Sequence, residues 1–445
     1  MALYKEKLKK GFALPECEKH FHDFDETWVI LKGNGNGYWL DHEGNREDFD
    51  LEEGDVWMIP AGYEHGSEGP NSEDFTISTF IGTQAPGSQP HKHYYVEEEG
   101  YIPTLQLVKH PSVRYPVNSS IPETMKGLIY IEKGKAAIQE EPTPNCEAGH
   151  LLCKTLFSGI TNGTERNVLT GGSYAKSWPS RSGYQVVGQV LEVGIGVEGF
   201  KAGDTIYSGE HSGHMEYFKV PVIPGEDNKM KLVIKLPETI EKKEAALFGM
   251  AAVALHDVRR AGTKLGDKVL VVGAGPVGQF TAQAAQATGA IVSICDINVK
   301  RLNKAGELGI GHKFKSETDE DWTKISDHGP FDIVFEDSGA DIFDKVLGFD
   351  KERGVLKNQG KLIVIAGRKD VGYNFNAGQF SELEIIHASH FEFDDLEQLL
   401  RLVDAGVIKI GPVIQDVVPI QDAVQIYDRL RDAPVDLFGT VFTWE

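Results

Sequence analysis

Three glycines at a predicted strand-to-helix junction could bind a dinucleotide. Gly273, Gly275 and Gly278 lie in the segment KVLVVGAGPVG, residues 268–278. Gly273 permits a tight turn, and Gly275 lets backbone N–H groups approach a pyrophosphate. Gly278 lets the following helix pack close to the strand. The chemistry that such a turn supports is hydride transfer with a nicotinamide.

An acidic residue follows these glycines at the distance that a dinucleotide site requires. Asp296 ends the next predicted strand, 291–295, about twenty residues further on. A carboxylate there can accept hydrogen bonds from the adenosine ribose and repels a 2′-phosphate, which favours NAD over NADP. Lys300 and Arg301 follow it and keep NADP open. The predicted cofactor-binding residues are Gly273, Gly275, Pro276, Val277, Gly278, Asp296 and Arg301.

A second group of residues, near the N-terminus, could bind a metal ion. His20, His22 and Glu26 have matching parity, so on a strand their side chains share one face. A turn over residues 60–62 can bring His65 to the same interior. Imidazoles and a carboxylate that converge in this way suit a borderline divalent metal.

These residues stand in two motifs that resemble those of the cupin family. The first is HxH followed by Glu26 and Gly33, and the second is GxxxxxPxGxxH, which ends at His65. Gly66 stands where many members have Asn. The resemblance implies a small double-stranded β-barrel over about residues 10–85. It also implies Fe, Mn, Ni, Co or Zn bound by His20, His22, Glu26 and His65.

Patterns further along the chain predict the elements that would position the glycine turn. A second β-rich region begins near residue 125, and strands and helices then alternate to about residue 388. Such alternation is typical of a doubly wound parallel sheet. Residues 417–442 then return to the β-rich region.

This region resembles the zinc-alcohol-dehydrogenase-like group of the medium-chain dehydrogenase/reductase superfamily. The resemblance lies in GYQVVGQVLEVG (183–194), GFKAGDTIYS (199–208), GHMEY (213–217), the glycine turn and PIQDAVQIYDRL (419–430). It implies a GroES-like catalytic domain, a Rossmann domain and NAD(P)-dependent alcohol dehydrogenase or carbonyl reductase activity. Hydride would pass between the nicotinamide ring and an alcohol or carbonyl carbon.

The two resemblances together give a multidomain chain, all-β at the N-terminus and α/β after it. We expect a cupin domain over residues 1–110, a linker over 111–124 and the first part of the catalytic domain over 125–248. The Rossmann domain then spans 249–390, and residues 391–445 return to the catalytic domain.

Four positions depart from the zinc-binding members of the resembled family. Thr161 stands where they have Cys, Tyr184 and Gln185 where they have His and Glu, and Met250 where some have Glu. The lobe with four closely spaced cysteines is also missing. These departures predict no zinc in the dehydrogenase half.

Without zinc, a developing alkoxide needs a hydrogen-bond or proton donor. Tyr184, at the position of a lost ligand, and Thr164 are the candidate catalytic donors. Glu165 could orient either one or hold substrate hydroxyls. The alternative is that Tyr184 only fills the vacated volume.

The amino-acid composition argues against some classes of binding partner. The 445 residues carry a net charge of −22, which argues against nucleic-acid or anionic-membrane surfaces and favours a small-molecule substrate. The four cysteines have no paired or metal-site spacing, and the charged N-terminus is not a secretory signal. We therefore expect reduced thiols and a cytoplasmic protein, and the family resemblance implies a homodimer or a higher homo-oligomer.

The leading hypothesis is a bifunctional enzyme. A metal-dependent cupin of isomerase, epimerase or lyase type would be coupled to a zinc-independent NAD(P)(H) oxidoreductase that acts on a sugar, polyol or hydroxy-carbonyl compound. Alternatively, the cupin is a non-catalytic sensing or dimerisation module. A third hypothesis is that the dehydrogenase half only senses dinucleotide. The substrate, the reaction direction and the cupin metal stay open at this level.

Overall fold

The computed structural model describes most of the chain from residue 121 onward and several separate segments before it. The described residues are 3–4, 17–22, 24–40, 46–59, 64–67, 76–84, 93–95, 121–224, 231–349 and 352–444. The predicted turn at 60–62 and most of the predicted linker at 111–124 lie outside them.

The described N-terminal segments are strands arranged in two antiparallel sheets. The strands are β1 (Leu3–Tyr4), β2 (Cys17–His22), β3 (Phe24–Lys32), β4 (Gly35–Leu40), β5 (Arg46–Leu51), β6 (Val56–Ile59), β7 (Glu64–Ser67), β8 (Thr76–Gln84) and β9 (His93–Tyr95). One sheet has the order β1-β8-β3-β6 and the other β5-β4-β7-β2-β9. A small core of Trp28, Ile30, Leu51, Trp57 and Ile59 is buried here.

The region after residue 121, which the sequence assigns to a catalytic domain, is built on a mainly antiparallel sheet. Its first elements are β10 (Thr124–Glu132), β11 (Lys135–Pro142), β12 (His150–Gly159), α1 (Asn162–Leu169), β13 (Val186–Val193), β14 (Thr205–Ser208), β15 (Tyr217–Pro221), β16 (Val233–Lys235) and α2 (Lys242–Ala245). Strands β10 and β11 form a separate hairpin, and β12 pairs with β13 and β15.

The dinucleotide domain follows. It contains α3 (Phe248–Ala261), β17 (Lys268–Val272), α4 (Pro276–Ala287), β18 (Ile291–Asp296), α5 (Val299–Glu307), β19 (His312–Lys315), α6 (Asp319–His328), β20 (Phe331–Glu336), α7 (Phe343–Leu347), β21 (Gly348–Phe349), β22 (Glu352–Arg353), β23 (Leu356–Val364), α8 (Phe375–Phe380), β24 (Glu384–His387) and α9 (Phe393–Asp404). Six strands form a parallel sheet in the order β19-β18-β17-β20-β23-β24. The apolar run 269–272 forms its buried centre, as expected for a strand that is covered on both faces.

The last strands return to the catalytic sheet. They are β25 (Ile414–Pro419) and β26 (Gly439–Thr443), with α10 (Ala423–Asp432) between them and 3-10 helices at Gly411–Val413, Ile420–Asp422 and Pro434–Asp436. Strand β26 pairs with β12, so the chain re-enters this sheet at Ile414. Helix α9, which lies within the predicted return segment, instead packs on α3 of the dinucleotide domain.

The apolar core is continuous across the two domains. Tyr207 and Phe248 share one buried cluster with Val271 and Ile294 of the parallel sheet. The residues at the boundary between the two domains are therefore held in place by packing against both domains. None of the helices in the described part of the chain is long and apolar enough to span a membrane.

Candidate functional site

The glycine turn lies between β17 and α4, as the sequence predicted. Gly273 has φ +104°, a conformation that L side chains rarely adopt. A Cβ atom at Gly273 would lie 2.9 Å from Cα of Ser338 in the loop after β20. Glycine is therefore required here by backbone conformation and by the neighbouring strand.

The other two glycines of the turn differ in what surrounds them. A Cβ atom at Gly278 would lie 1.8 Å from the Gly273 carbonyl oxygen, so the helix can approach the strand only with glycine. A Cβ atom at Gly275 would meet no heavy atom closer than Nη1 of Arg301 at 4.0 Å. This open space lies beside the N-terminus of α4, where Pro276 and Val277 form the first turn. Unpaired N–H groups and the helix dipole make such a position suitable for a pyrophosphate.

Asp296 is placed beside the same turn. Its carboxylate accepts hydrogen bonds from the backbone N–H of Ala274 at 2.7 Å and of Asn298 at 2.7 Å. Arg301 donates to the carbonyl oxygens of Val435 and Leu437 at 3.1 and 3.3 Å. The structure thus brings the predicted cofactor-binding residues together. It also gives Asp296 a second role, because its carboxylate holds the turn in place.

Tyr184 lies at the boundary of the two domains in a cluster of rings. Its ring centroid is 5.7 Å from that of His211, 4.9 Å from that of His390 and 6.5 Å from that of Phe391. Burial raises the pKa of Tyr184 to about 12, and a hydrogen bond with Thr161 acts in the opposite direction. The side chain is therefore a neutral phenol at neutral pH, able to donate a proton.

Three of the four positions that departed from the family pattern are joined by hydrogen bonds. Nε2 of Gln185 donates to Oγ1 of Thr161 at 2.8 Å, and Oε1 of Gln185 accepts from the backbone N–H of Met250 at 3.0 Å. Met250 lies in the first turn of α3, whose N-cap residue makes no side-chain capping bond. Gln185 therefore satisfies a buried donor at this helix start and positions Thr161 beside Tyr184.

Glu165 lies deeper than the sequence suggested. It is fully buried, and Oε1 accepts from the backbone N–H of Thr161 at 2.8 Å. Oε2 accepts from Nε2 of His214 at 3.1 Å and from the hydroxyls of Tyr130 and Tyr427. These bonds connect α1 to the hairpin, the catalytic sheet and α10. Glu165 is thus placed to act on Tyr184 through Thr161 and not by direct contact.

Thr164, the other candidate donor, is half-buried on α1. The side chains that the structure places around Tyr184 are those of Thr161 and the rings of His211, His390 and Phe391. Among the described residues, this geometry favours Tyr184 over Thr164 as the group at the cleft.

His390 and Phe391 are site residues that the sequence reasoning missed. They follow β24 at the carboxyl end of the parallel sheet, where open α/β sheets bind their ligands. The position after this edge strand was therefore the signal that could have found them. His211 is exposed, and its ring centroid lies 5.5 Å from that of His390.

Two of the four predicted N-terminal metal ligands meet in the structure. Oε2 of Glu26 on β3 lies 3.2 Å from Nε2 of His65 on β7, and both side chains are buried. They come from different sheets. In the backbone register His20 lies opposite His65, and His22 lies opposite His93. The side chains of His20 and His22 lie outside the described residues.

Comparison with known proteins finds relatives of the larger part of the chain. Residues 276–405 match the family model of the zinc-binding dehydrogenases. Sorbitol dehydrogenase 1 of Saccharomyces cerevisiae is 29% identical over 336 residues, which cover 67% of this chain and 93% of the yeast protein.

Solved structures share the fold. The 2R,3R-butanediol dehydrogenase of Bacillus subtilis superposes with a TM-score of 0.61 at 22% identity, covering 72% of this chain and 99% of its own. A cobalt- and zinc-bound thermostable alcohol dehydrogenase of Pyrobaculum aerophilum gives 0.60 at 22% identity, with coverage of 72% and 99%.

These comparisons overturn the prediction that the dehydrogenase half holds no zinc. The matching family is one of zinc-binding dehydrogenases, and one structure with the same fold contains cobalt and zinc. The prediction failed because it judged the metal from four residue positions and a missing cysteine lobe. Across the described ranges, no three His, Cys, Asp or Glu side chains are grouped as a metal site, so these residues do not identify a ligand set for the ion.

The glycine turn, the parallel sheet and the antiparallel catalytic sheet agree with these comparisons. From residue 121 onward, the chain is similar in sequence to zinc-type medium-chain dehydrogenases/reductases and shares the fold of such enzymes.

Proposed function

We propose that the chain interconverts an alcohol and a carbonyl group on a polyol or sugar-like small molecule, with NAD as the preferred dinucleotide. The open space at Gly275, beside the N-terminus of α4, carries this proposal. It offers room and unpaired N–H groups for a pyrophosphate, and Asp296 lies at the end of the adjacent strand. The yeast relative is named a sorbitol dehydrogenase, which supports a polyol substrate.

A bound nicotinamide dinucleotide supplies the site that accepts or donates hydride. Different residues of the chain then donate the proton and position the donor. The phenol of Tyr184 donates a proton to the oxygen of a carbonyl substrate as that carbon is reduced. Thr161 holds the Tyr184 hydroxyl, and Gln185 and Glu165 hold Thr161. In the opposite direction the phenol of Tyr184 first loses its proton to solvent, and the resulting phenolate accepts the proton of the alcohol as hydride leaves.

A substitution at Gly275 tests the dinucleotide site without disturbing the fold. Gly275→Ala places a methyl group in the open space and meets no protein atom within van der Waals contact. We expect unchanged thermal unfolding and a loss of NADH affinity on the order of tenfold or more, measured by fluorescence titration. Gly372→Ala, with no atom within 4 Å of its Cβ, is the matched control and should bind NADH normally. Equal NADH affinity in all three proteins would contradict the placement.

A second candidate function concerns the N-terminal sheets. The contact of 3.2 Å between Glu26 and His65, with His20 opposite His65 in register, supports a metal-binding site there. Such a site would serve either a catalytic activity or a structural role. The same contact is also compatible with a non-catalytic sensing or dimerisation module stabilised by a buried pair.

Metal analysis of the full-length chain separates these roles. A stoichiometric metal that is lost in Glu26→Gln, with altered product formation, supports a catalytic N-terminal domain. Absence of metal, together with normal dehydrogenase turnover in Glu26→Gln, would leave this domain a non-catalytic role.

A further inference from the structure

An imidazole from the dinucleotide domain lies against the proposed proton donor. His390 follows β24, whereas Tyr184 and His211 belong to the catalytic domain. The ring centroid of His390 is 4.9 Å from that of Tyr184, edge to face, and 5.5 Å from that of His211. His390 therefore lies where the two domains meet, beside the group that handles the proton.

The backbone of His390 is strained. Its φ of 60° lies in the left-handed region, which is costly for a residue with a Cβ atom. Such residues persist where the surrounding structure requires them, and they cluster at active sites and ligand-binding positions. Gln359 and Glu382 also have positive φ, but these two are exposed and hydrogen bonded to each other at 2.8 Å. His390 differs from this surface pair because its ring lies against that of Tyr184, with the centroids 4.9 Å apart.

The side chain of His390 has an unused acceptor. Nε2 is buried and makes no hydrogen bond within the described part of the chain. The pKa of His390 is lowered to about 4, mainly by burial and also by nearby His211. A hydrogen bond with the backbone of Gly209 acts in the opposite direction. The ring is thus neutral at neutral pH. The Gly209 contact holds the proton on Nδ1, which leaves Nε2 with a free lone pair.

We propose that Nε2 of His390 accepts a hydrogen bond from a hydroxyl group of the substrate and thereby selects polyols over less hydroxylated alcohols. The inference rests on the proposed function and assigns a specificity residue to it. A buried acceptor without a partner is satisfied by a ligand hydroxyl and left unsatisfied by a hydrogen atom at the same place. A carboxylate is disfavoured, because its oxygens cannot donate to the lone pair.

The test uses His390→Gly in the full-length chain. Glycine adopts a φ of 60° freely, so this variant removes the side chain without introducing strain and should unfold no earlier than wild type. We expect KM for a polyol to rise on the order of tenfold, with a smaller change in kcat and an unchanged KM for the dinucleotide. The preference for the polyol over the matching deoxy analogue should fall by the same factor.

Gln359→Gly is the matched control, because it relieves a positive φ of 58° at an exposed position. It should leave both KM values and the polyol preference unchanged. Wild-type KM and preference in His390→Gly would overturn the proposal while the oxidoreductase function stands. A rise in KM confined to the dinucleotide would overturn it as well. A wild-type protein that turns over no polyol would instead overturn the proposed function and this inference with it.

Discussion

Tyr184 lies at the boundary of the two domains as a neutral phenol, and burial raises its pKa further, to about 12. A group with this pKa can donate a proton to a developing alkoxide but does not ionise near neutral pH. Its neighbour Thr161 is held by Gln185 at 2.8 Å, so the donor is fixed before substrate binds. Proton donation to the substrate therefore requires the hydroxyl of Tyr184 and not only its ring.

Tyr184→Phe keeps the ring and removes the hydroxyl. We expect kcat for carbonyl reduction to fall by about 10²-fold, because the proton donor is lost, with little change in thermal unfolding. Steady-state kinetics of Tyr184→Phe and Thr164→Val provide the comparison. A normal kcat in Tyr184→Phe together with a large loss in Thr164→Val would assign the donor role to Thr164.

Asp296 gives a second prediction at this scale. Its carboxylate lies at the end of β18, where a 2′-phosphate would be repelled. Asp296→Asn should raise the ratio of kcat/KM with NADP to that with NAD roughly tenfold, and it should weaken the turn, because the Ala274 and Asn298 bonds lose the charged acceptor. Asp344→Asn, at an exposed position on α7, is the control. An unchanged ratio would remove Asp296 from cofactor selection.

At the scale of elements, Glu165 connects α1 to the rest of the catalytic domain. Its carboxylate accepts hydrogen bonds from His214 and from the hydroxyls of Tyr130 and Tyr427, which come from three other parts of the chain. A buried carboxylate in such a network satisfies several donors at once, and its removal leaves each donor without an acceptor. The network therefore sets the position of α1, and through it Thr161.

Glu165→Ala should lower the free energy of unfolding by roughly 2–4 kcal/mol, because the buried donors lose their acceptor. Glu165→Gln keeps the volume and one acceptor oxygen and should cost less. Denaturant unfolding measures both, and Glu320→Ala, an exposed glutamate on α6, is the control. A loss for Glu165→Ala no larger than that of the control would show that the network contributes little to stability.

The sequence was informative for elements that depend on local patterns. The glycine spacing at 273–278 predicted the strand, the turn and the helix, because Gly273 and Gly278 each meet a nearby steric demand and Gly275 leaves open space. The role of Glu165 could not be predicted, since its partners Tyr130 and Tyr427 lie 35 and 262 residues away. His390 was missed for the same reason. The zinc prediction was wrong because four departing positions and a missing cysteine lobe do not decide a property of the matching family.

At the scale of the whole molecule, buried carboxyl groups make stability depend on pH. Burial raises the pKa of Asp337 to about 7, and the Thr281 hydroxyl opposes this. Burial, with repulsion from Asp337 and Asp395, raises the pKa of Asp257 well above its ordinary value. Asp337 lies in the loop after β20 and Asp257 lies on α3, and both are next to the parallel sheet.

A raised carboxyl pKa stabilises the folded state only while the proton is bound. The contribution of Asp337 is fully present below pH 3.8 and is lost as the pH rises through about 7. Asp337→Asn stays neutral, so its stability relative to wild type should increase by a few kcal/mol between pH 5 and pH 8. Urea unfolding across this range measures the difference. A constant difference between variant and wild type would contradict the raised pKa.

The central claim is that a polyol gives hydride to a nicotinamide at this cleft, and deuterium transfer tests it most directly. A polyol deuterated at its hydroxyl-bearing carbons is incubated with the full-length protein and NAD, and the dinucleotide is then examined by mass spectrometry. Hydride transfer from the polyol predicts reduced dinucleotide that carries one deuterium with wild type, and far less of it with Tyr184→Phe. Dinucleotide that binds but acquires no deuterium from any polyol, sugar or hydroxy acid would contradict it.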